Sequence, residues 1–230
     1  MLSFEGAPLG AGLGAISVAP TKDEQVYDRL RKAIVAGQLL PRQELAVAAI
    51  ATQLGVSRIP VMRACQRLIG EGFLETNARR NVVIAPLSEE RALEEFALLD
   101  TLEGMAARHS ARHRDAATLR ALRRHNAAMA GPGTTPVAAT EINVRFHQAL
   151  WGGLRSPYAR NLAGLIWDHL EPARNAAERH HSWNPAPSIA EHEAIIAAIE
   201  AGDQEAAAAA VMQHRKRTID RVLAALRAGE

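Results

Sequence analysis

Long apolar runs are missing from this chain: Arg, Glu, Asp or His interrupts every extended Ala/Leu stretch before it reaches the roughly 18 to 20 residues of a membrane helix. That argues against a helical membrane protein. Cysteine is nearly missing too, and the single Cys65 cannot close an internal disulfide. The first twenty residues lack both the basic start and the unbroken apolar run of a signal peptide, so a cytoplasmic location is expected. Internal repeats and a glycine-rich loop of the kind that cradles phosphate are absent as well.

What is present fits two small domains. The 230 residues are 48% apolar, enough for two separate cores. Net charge is only +2, yet residues 21–87 carry ten Lys/Arg against six Asp/Glu, whereas 88–230 carry seventeen against eighteen. All nine histidines lie beyond residue 88, while Arg79 and Arg80 lie before it. The split suggests two chemistries in two places.

Periodicity and stop signals give the organisation. Residues 1–20, rich in Gly, Ala and Pro, read as a flexible arm. Thr21 and Glu24 form a capping-box pattern ahead of a helical face of Val26, Leu30, Ala33 and Ile34. A second helix is predicted over Leu45 to Leu54, with Gly55 as a tight turn and Ser57 capping a third helix; Pro60 is tolerated in its first turn. Two short β-rich runs, Phe73 to Thr76 and Val82 to Ala85, predict a hairpin. Beyond it, helices are predicted near 88–111, 115–130, 138–153, 157–182, 188–201 and 203–228, with Ser188 and Glu191 as a further capping box. The expected fold is mainly α: a winged helix-turn-helix over 21–87 followed by an all-α six-helix bundle over 88–230.

Residues Leu54 to Val61 (Leu-Gly-Val-Ser-Arg-Ile-Pro-Val), Gly37 with Pro41 and Leu45, and Glu71-Gly72-Phe73-Leu74 resemble the GntR family of bacterial regulators over about fifty residues in order. The resemblance implies a DNA-binding regulator, a repressor in this reading, on double-stranded palindromic operators. The start of the third helix would enter the major groove, with Arg58 reaching a guanine edge and Ser57 a phosphate. Ile59 and Arg63 belong to the same candidate surface, and Arg79, Arg80 and Asn81 to the wing. Asn81 stands where the family often has glycine and is expected to take the left-handed turn. Ala48 and Met62 stand where arginines are common in the family, which predicts an unusual operator. Arg63 and Arg67 are equally consistent with a solvated face.

From residue 88 onward the chain resembles the FCD effector domain of the FadR-type branch, with six helices as in its VanR-like subgroup. Asn143-Val144-Arg145-Phe146-His147, Glu191-His192-Glu193-Ala194-Ile195 and Val211-Met212-Gln213-His214 carry the likeness. It implies a divalent metal, zinc or a similar borderline ion such as nickel, on Asn143, His147, His192 and His214. Residues 143 and 147 lie one helical turn apart and share a face. Asn143 replaces the usual aspartate, so metal affinity is expected to fall. A small carboxylate effector would complete the coordination, in a pocket to which Leu99, Arg145, Trp167 and Arg174 are candidate contributors; Leu99 stands where many relatives carry arginine. His109, His113, His125, His180 and His181 read as ordinary polar or packed residues, and Trp151, Trp167 and Phe146 as pocket wall or core, with plain core packing the favoured reading of each. In the run His214-Arg215-Lys216-Arg217, His214 is expected inward and the rest outward.

Three functions compete. Catalysis by a zinc-activated water is disfavoured, because Glu193 directly follows His192 and points elsewhere, and no nucleophile accompanies the site. A second reading is a metal-responsive switch, with the ion as signal, or a degenerate member whose third helix no longer binds DNA, an option that Ala48 and Met62 keep open. The favoured reading is a homodimeric regulator in which effector binding shifts the bundle and changes the spacing of two recognition helices.

Overall fold

The computed structural model describes residues 19–180 and 184–228. The proposed arm lies almost wholly outside them, as do His181, the side chain of His180 and the expected helix end at 182.

The first unit is three helices and a hairpin: α1 (Lys22–Val35), α2 (Val47–Leu54), α3 (Arg58–Gly70), β1 (Leu74–Thr76) and β2 (Val82–Ile84). The α1 capping box forms as its sequence suggests, Glu24 N–H donating to Thr21 Oγ1 at 3.4 Å and Thr21 N–H to Glu24 Oε2 at 2.7 Å. Helix α2 ends on Gly55 at φ +64°, a left-handed position that costs a side chain-free residue little. Leu45 is not in α2. Its N–H donates to Val82 O, Arg42 N–H donates to Ile84 O and Glu44 makes an isolated bridge to Val83, so this segment lies extended beside the hairpin and the helix starts two residues later. The hairpin is antiparallel, Leu74 opposite Ile84 and Thr76 opposite Val82. Val26, Leu30, Ile34, Val61, Leu68 and Phe73 form the core of this unit.

Ser88 Oγ accepts from Arg91 N–H and starts α4 (Glu89–His113). Helices α5 (Ala116–Met129), α6 (Pro136–Leu150), α7 (Pro157–His180), α8 (Ala186–Ala201) and α9 (Gln204–Ala228) follow. Nine helices are thus present among the described residues, and none is long and apolar enough to cross a membrane. Helix α6 closes in a 3-10 turn at Trp151–Gly153. The second expected capping box does not form: α8 already begins at Ala186, with Pro187 tolerated in its first turn, and Ser188 is buried inside the helix, where its Oγ accepts from Arg217.

The second core joins Phe96, Leu99, Leu122, Phe146, Leu150, Leu170, Ile195 and Val211. Helix α9 packs on both α4 and α8, which later decides the fate of Arg215. Helix α7 faces two ways. Leu170 lies in the bundle core, while Leu165 packs against the core of the first unit. Asp168 pairs with Arg31 of α1 at 2.9 Å, and His169 sits edge-on to Phe73 at 4.3 Å. Arg91 donates to Gly72 O at 3.0 Å and to Glu95 Oε1 at 2.7 Å. At Gly72, φ +84°, a Cβ would approach Arg91 and His169 to 3.2 and 3.4 Å, so glycine permits both the turn and the close contact.

Candidate functional site

Three imidazoles from three helices meet inside the bundle. His147 lies on α6, His192 on α8 and His214 on α9, and one ring nitrogen of each falls within 4.8 Å of the others. All three are buried.

Each Nδ1 has an oxygen partner. His147 Nδ1 faces Glu103 Oε1 at 3.1 Å, His214 Nδ1 faces Glu191 Oε2 at 2.7 Å, and His192 Nδ1 faces Asn126 Oδ1 at 3.2 Å. The Asn126 amide is itself oriented, its Nδ2 donating to Ile189 O and Glu193 Oε2. Acceptors at Nδ1 place the ring protons there, so the Nε2 lone pairs point inward. His147 Nε2 and His214 Nε2 are 3.2 Å apart, and His192 Nε2 is buried without a partner. Burial, reinforced by the neighbouring histidines, depresses the pKa values of His192 and His214 well below the usual imidazole range; burial lowers that of His147 against the pull of Glu103. All three are neutral at neutral pH. Two ligands of a tetrahedral ion with bonds of about 2.0–2.1 Å lie about 3.3–3.4 Å apart, close to the 3.2 Å between the Nε2 atoms of His147 and His214.

Behind the histidines stands a buried ionic cluster. Glu103 of α4, fully buried, accepts from Trp151 Nε1 at 2.8 Å and pairs with His147 and with Arg215 of α9; Arg215 also contacts Asp100. Burial alone would raise the Glu103 carboxyl, but Arg215 and His147 outweigh it and hold the group well below the carboxylate range. Asp100, with burial stronger than its attraction to Arg215, is pushed up to about 6.

Asn143, His147, Trp167, Arg174, Ser188, His214, Arg215, Thr218 and Arg221 line a small cavity of about 10 Å³, room for an ion or one water. Asn143 Oδ1, Trp167 Nε1 and Arg174 Nε are buried without partners. The Arg174 guanidinium lies 3.8 Å from the Trp167 ring centroid.

Trp167 and Arg174 line the cavity, and Trp167 also belongs to the bundle core. Leu99 and Arg145 do not. Leu99 is fully buried in the bundle core, and Arg145 points outward from α6 with Glu141 4.0 Å away. Their faces differ: Arg145 lies two residues from His147, about 200° around the helix. Arg215 is a further correction, being inward rather than solvated, because α9 is covered on two sides. Phe146 stacks on His192 at 3.6 Å and belongs to the core, like Trp151. Glu103, Glu191, Asn126 and His169 were not anticipated as site or interface residues. A glutamate inside the α4 stripe of Phe96, Leu99, Ala106 and Ala107 is the one sequence signal that could have exposed Glu103.

On the first unit, Ser57, Arg58, Ile59 and Arg63 are exposed at the start of α3, and Ser57 makes no side-chain capping bond. Arg67 turns away: its Nε donates to Glu71 at 2.9 Å and its guanidinium covers Tyr27 at 3.7 Å. The wing turn is held by Asn77 Oδ1, which accepts from Arg79 N–H and Asn81 N–H at 3.0 Å. Arg79, Arg80 and Asn81 are exposed there. The left-handed residue is Arg80, φ +64°, and not Asn81, which instead pairs across the turn and donates its Nδ2 to Glu44.

Comparison with known proteins agrees with this anatomy. Residues 22–84 match the bacterial regulatory proteins of the gntR family, and residues 94–217 match the FCD domain. The "Probable D-xylose utilization operon transcriptional repressor" of Paenarthrobacter nicotinovorans is 30% identical over 211 residues, covering 84% of this chain and 85% of that protein. The "Uncharacterized HTH-type transcriptional regulator YdhC" of Bacillus subtilis (strain 168) is 24% identical over 201 residues, covering 83% and 86%. Among solved structures, E. coli McbR/YncC superposes with a TM-score of 0.72 at 20% identity, covering 88% of this chain and 97% of its own. A GntR-type regulator from Rhodococcus sp. RHA1 gives 0.68 at 22%, covering 88% and 98%. At these identities the structural likeness speaks for the fold.

Proposed function

The chain belongs to the GntR family of bacterial regulatory proteins and carries an FCD domain, a family of transcription regulators rather than enzymes; on that premise we propose that it is a homodimeric repressor released from its operator by a small carboxylate bound beside a divalent metal. The observation that carries the sensor half is the inward convergence of three neutral Nε2 atoms, each ring oriented by its own acceptor. His147, His192 and His214 would hold zinc or a similar borderline ion, with the unpartnered Asn143 Oδ1 as a fourth donor. Such an ion, when bound, supplies two positive charges that the neutral amide of Asn143 leaves for an anion to balance. Trp167 Nε1 and Arg174 Nε, both buried donors without partners, are placed to hold that anion's oxygens.

The cavity takes no organic molecule as it stands, so an effector has to part the helices around it. Helix α7 lines it with Trp167 and Arg174 and meets the winged unit with Leu165, Asp168 and His169. Pro172, inside α7 and two residues before Arg174, cannot donate to the carbonyl of Asp168 one turn back, which leaves the helix without one of its own hydrogen bonds there. Displacing α7 for an effector would shift the recognition helix with it. Exposed Leu98 and Met105 on α4, and Met212 on the adjoining α9, favour a dimer through that side.

The small cavity also favours a second reading, in which the ion itself is the signal. Both readings meet the same test. Chain purified without chelator is expected to carry near-stoichiometric metal by elemental analysis, lost in the His147→Ala/His192→Ala double variant. Carboxylates are then screened for release of DNA by the loaded protein. Metal missing from the wild type overturns both readings of the sensor, and effector response undiminished by complete chelation overturns the carboxylate one.

A further inference from the structure

Helix α3 buries Val61, Ala64, Cys65 and Leu68 and turns Ile59, Met62, Arg63 and Gln66 outward. Two of those four are large and apolar: Ile59 is 62% exposed and Met62 50%. They stand three residues apart, hence side by side on the outer face of the first two turns. Single exposed aliphatics need no explanation, but an adjacent pair at the end of the helix that carries Arg58 and Arg63 is an apolar patch set in a basic rim.

We propose that Ile59 and Met62 read thymines, by packing against their 5-methyl groups in the major groove. This rests on the DNA-binding reading and adds what the surface recognises. The patch is continuous with the family's DNA-binding surface, and the arginines around it complement phosphate. The thymine methyl is the one apolar group that a base pair displays in the major groove. Neither side chain can donate or accept a strong hydrogen bond, so neither can distinguish guanine or adenine by its polar edge. What an aliphatic group gains there is the removal of a methyl from water, a factor of about four in affinity per methyl. Arg58 and Arg63 would then frame a half-site in which thymines lie beneath the patch.

The test uses the full-length chain. Duplexes selected from a randomised library are expected to share half-sites with thymines, and replacing individual thymines by deoxyuridine, which keeps every hydrogen-bonding group and removes only the methyl, should weaken binding about fourfold at the contacted positions. Ile59→Ala and Met62→Ala should each abolish the penalty at a different thymine, lowering affinity for the thymine duplex to about that for the deoxyuridine duplex at that position. Both side chains are exposed, so neither change threatens folding. Selected sites without thymine, or deoxyuridine penalties that persist in both variants, would overturn the proposal while leaving DNA binding intact. Variants that change only the oligomeric state would reassign the patch to a second copy of the chain. Failure to select any duplex would overturn the DNA-binding reading itself, and the proposal with it.

Discussion

Replacing Glu103 by glutamine removes one negative charge from the centre of the bundle with almost no change in shape. The wild-type carboxylate is fully buried and serves Arg215, His147 and Trp151 together. Losing one partner of a buried ion pair costs about 3 to 5 kcal/mol, because the other charge stays buried without compensation. Here the lower end applies, about 3 kcal/mol, since Asp100 remains beside Arg215 and the glutamine oxygen can still accept from Trp151. Against a typical domain stability of about 5 to 15 kcal/mol that is a large fraction. Denaturant unfolding of metal-free protein should show it as a lower midpoint at unchanged slope. Arg215→Met should cost a comparable amount, and the double variant clearly less than the sum of the two, since each single change strands a charge that the double change removes. A loss below about 1 kcal/mol in Glu103→Gln, or strict additivity, would mean that the cluster behaves like an exposed pair and would refute the argument.

Acidification gives a second expectation. The three cluster histidines have lowered pKa values in the folded state, so below about pH 6.5 the unfolded chain binds protons that the folded chain refuses. Stability is full above that pH and falls as pH drops towards 5, by about 1.4 kcal/mol per pH unit for each uncompensated proton. Asp100, raised to about 6, takes up a proton in the folded state over the same window and offsets one of the three. Melting temperatures in chelator at pH 7, 6 and 5 check the sign; a rise on acidification contradicts it. Zinc at a hundredfold excess over its dissociation constant should raise the unfolding free energy by about 2.7 kcal/mol in wild type and not in His192→Ala, read by thermal denaturation. Arg58→Ala should weaken operator binding by about 1 to 3 kcal/mol in a band-shift titration, and wild-type affinity in that variant rules out the proposed guanine contact. Asp168→Asn removes the charge from the half-exposed pair with Arg31, so it should cost under about 1 kcal/mol in stability yet change the ratio of operator affinities with and without zinc; an unchanged ratio argues against transmission through α7.

The sequence alone determined what depends on local chemistry. Capping residues, glycines and prolines mark where backbone hydrogen bonding must stop, and so most helix bounds, including α1, α4, α5 and α9, were legible. The three histidines were legible as a set through motif likeness and helical spacing. Tertiary packing decided the rest, because neighbours set the burial of a side chain. Ser188 lost its capping role once Pro187 entered the first turn of α8. Leu45 left its helix to meet Val82, and Arg80 took the left-handed position because Asn81 was engaged across the turn. Arg215 turned inward only because α9 is sandwiched between α4 and α8, bringing it to Glu103, 112 residues away. The two-faced position of α7 belongs to the same class: apolar and charged residues alternate over 165 to 174 with no mark of destination, and only their surroundings divide them between the cavity and the winged unit.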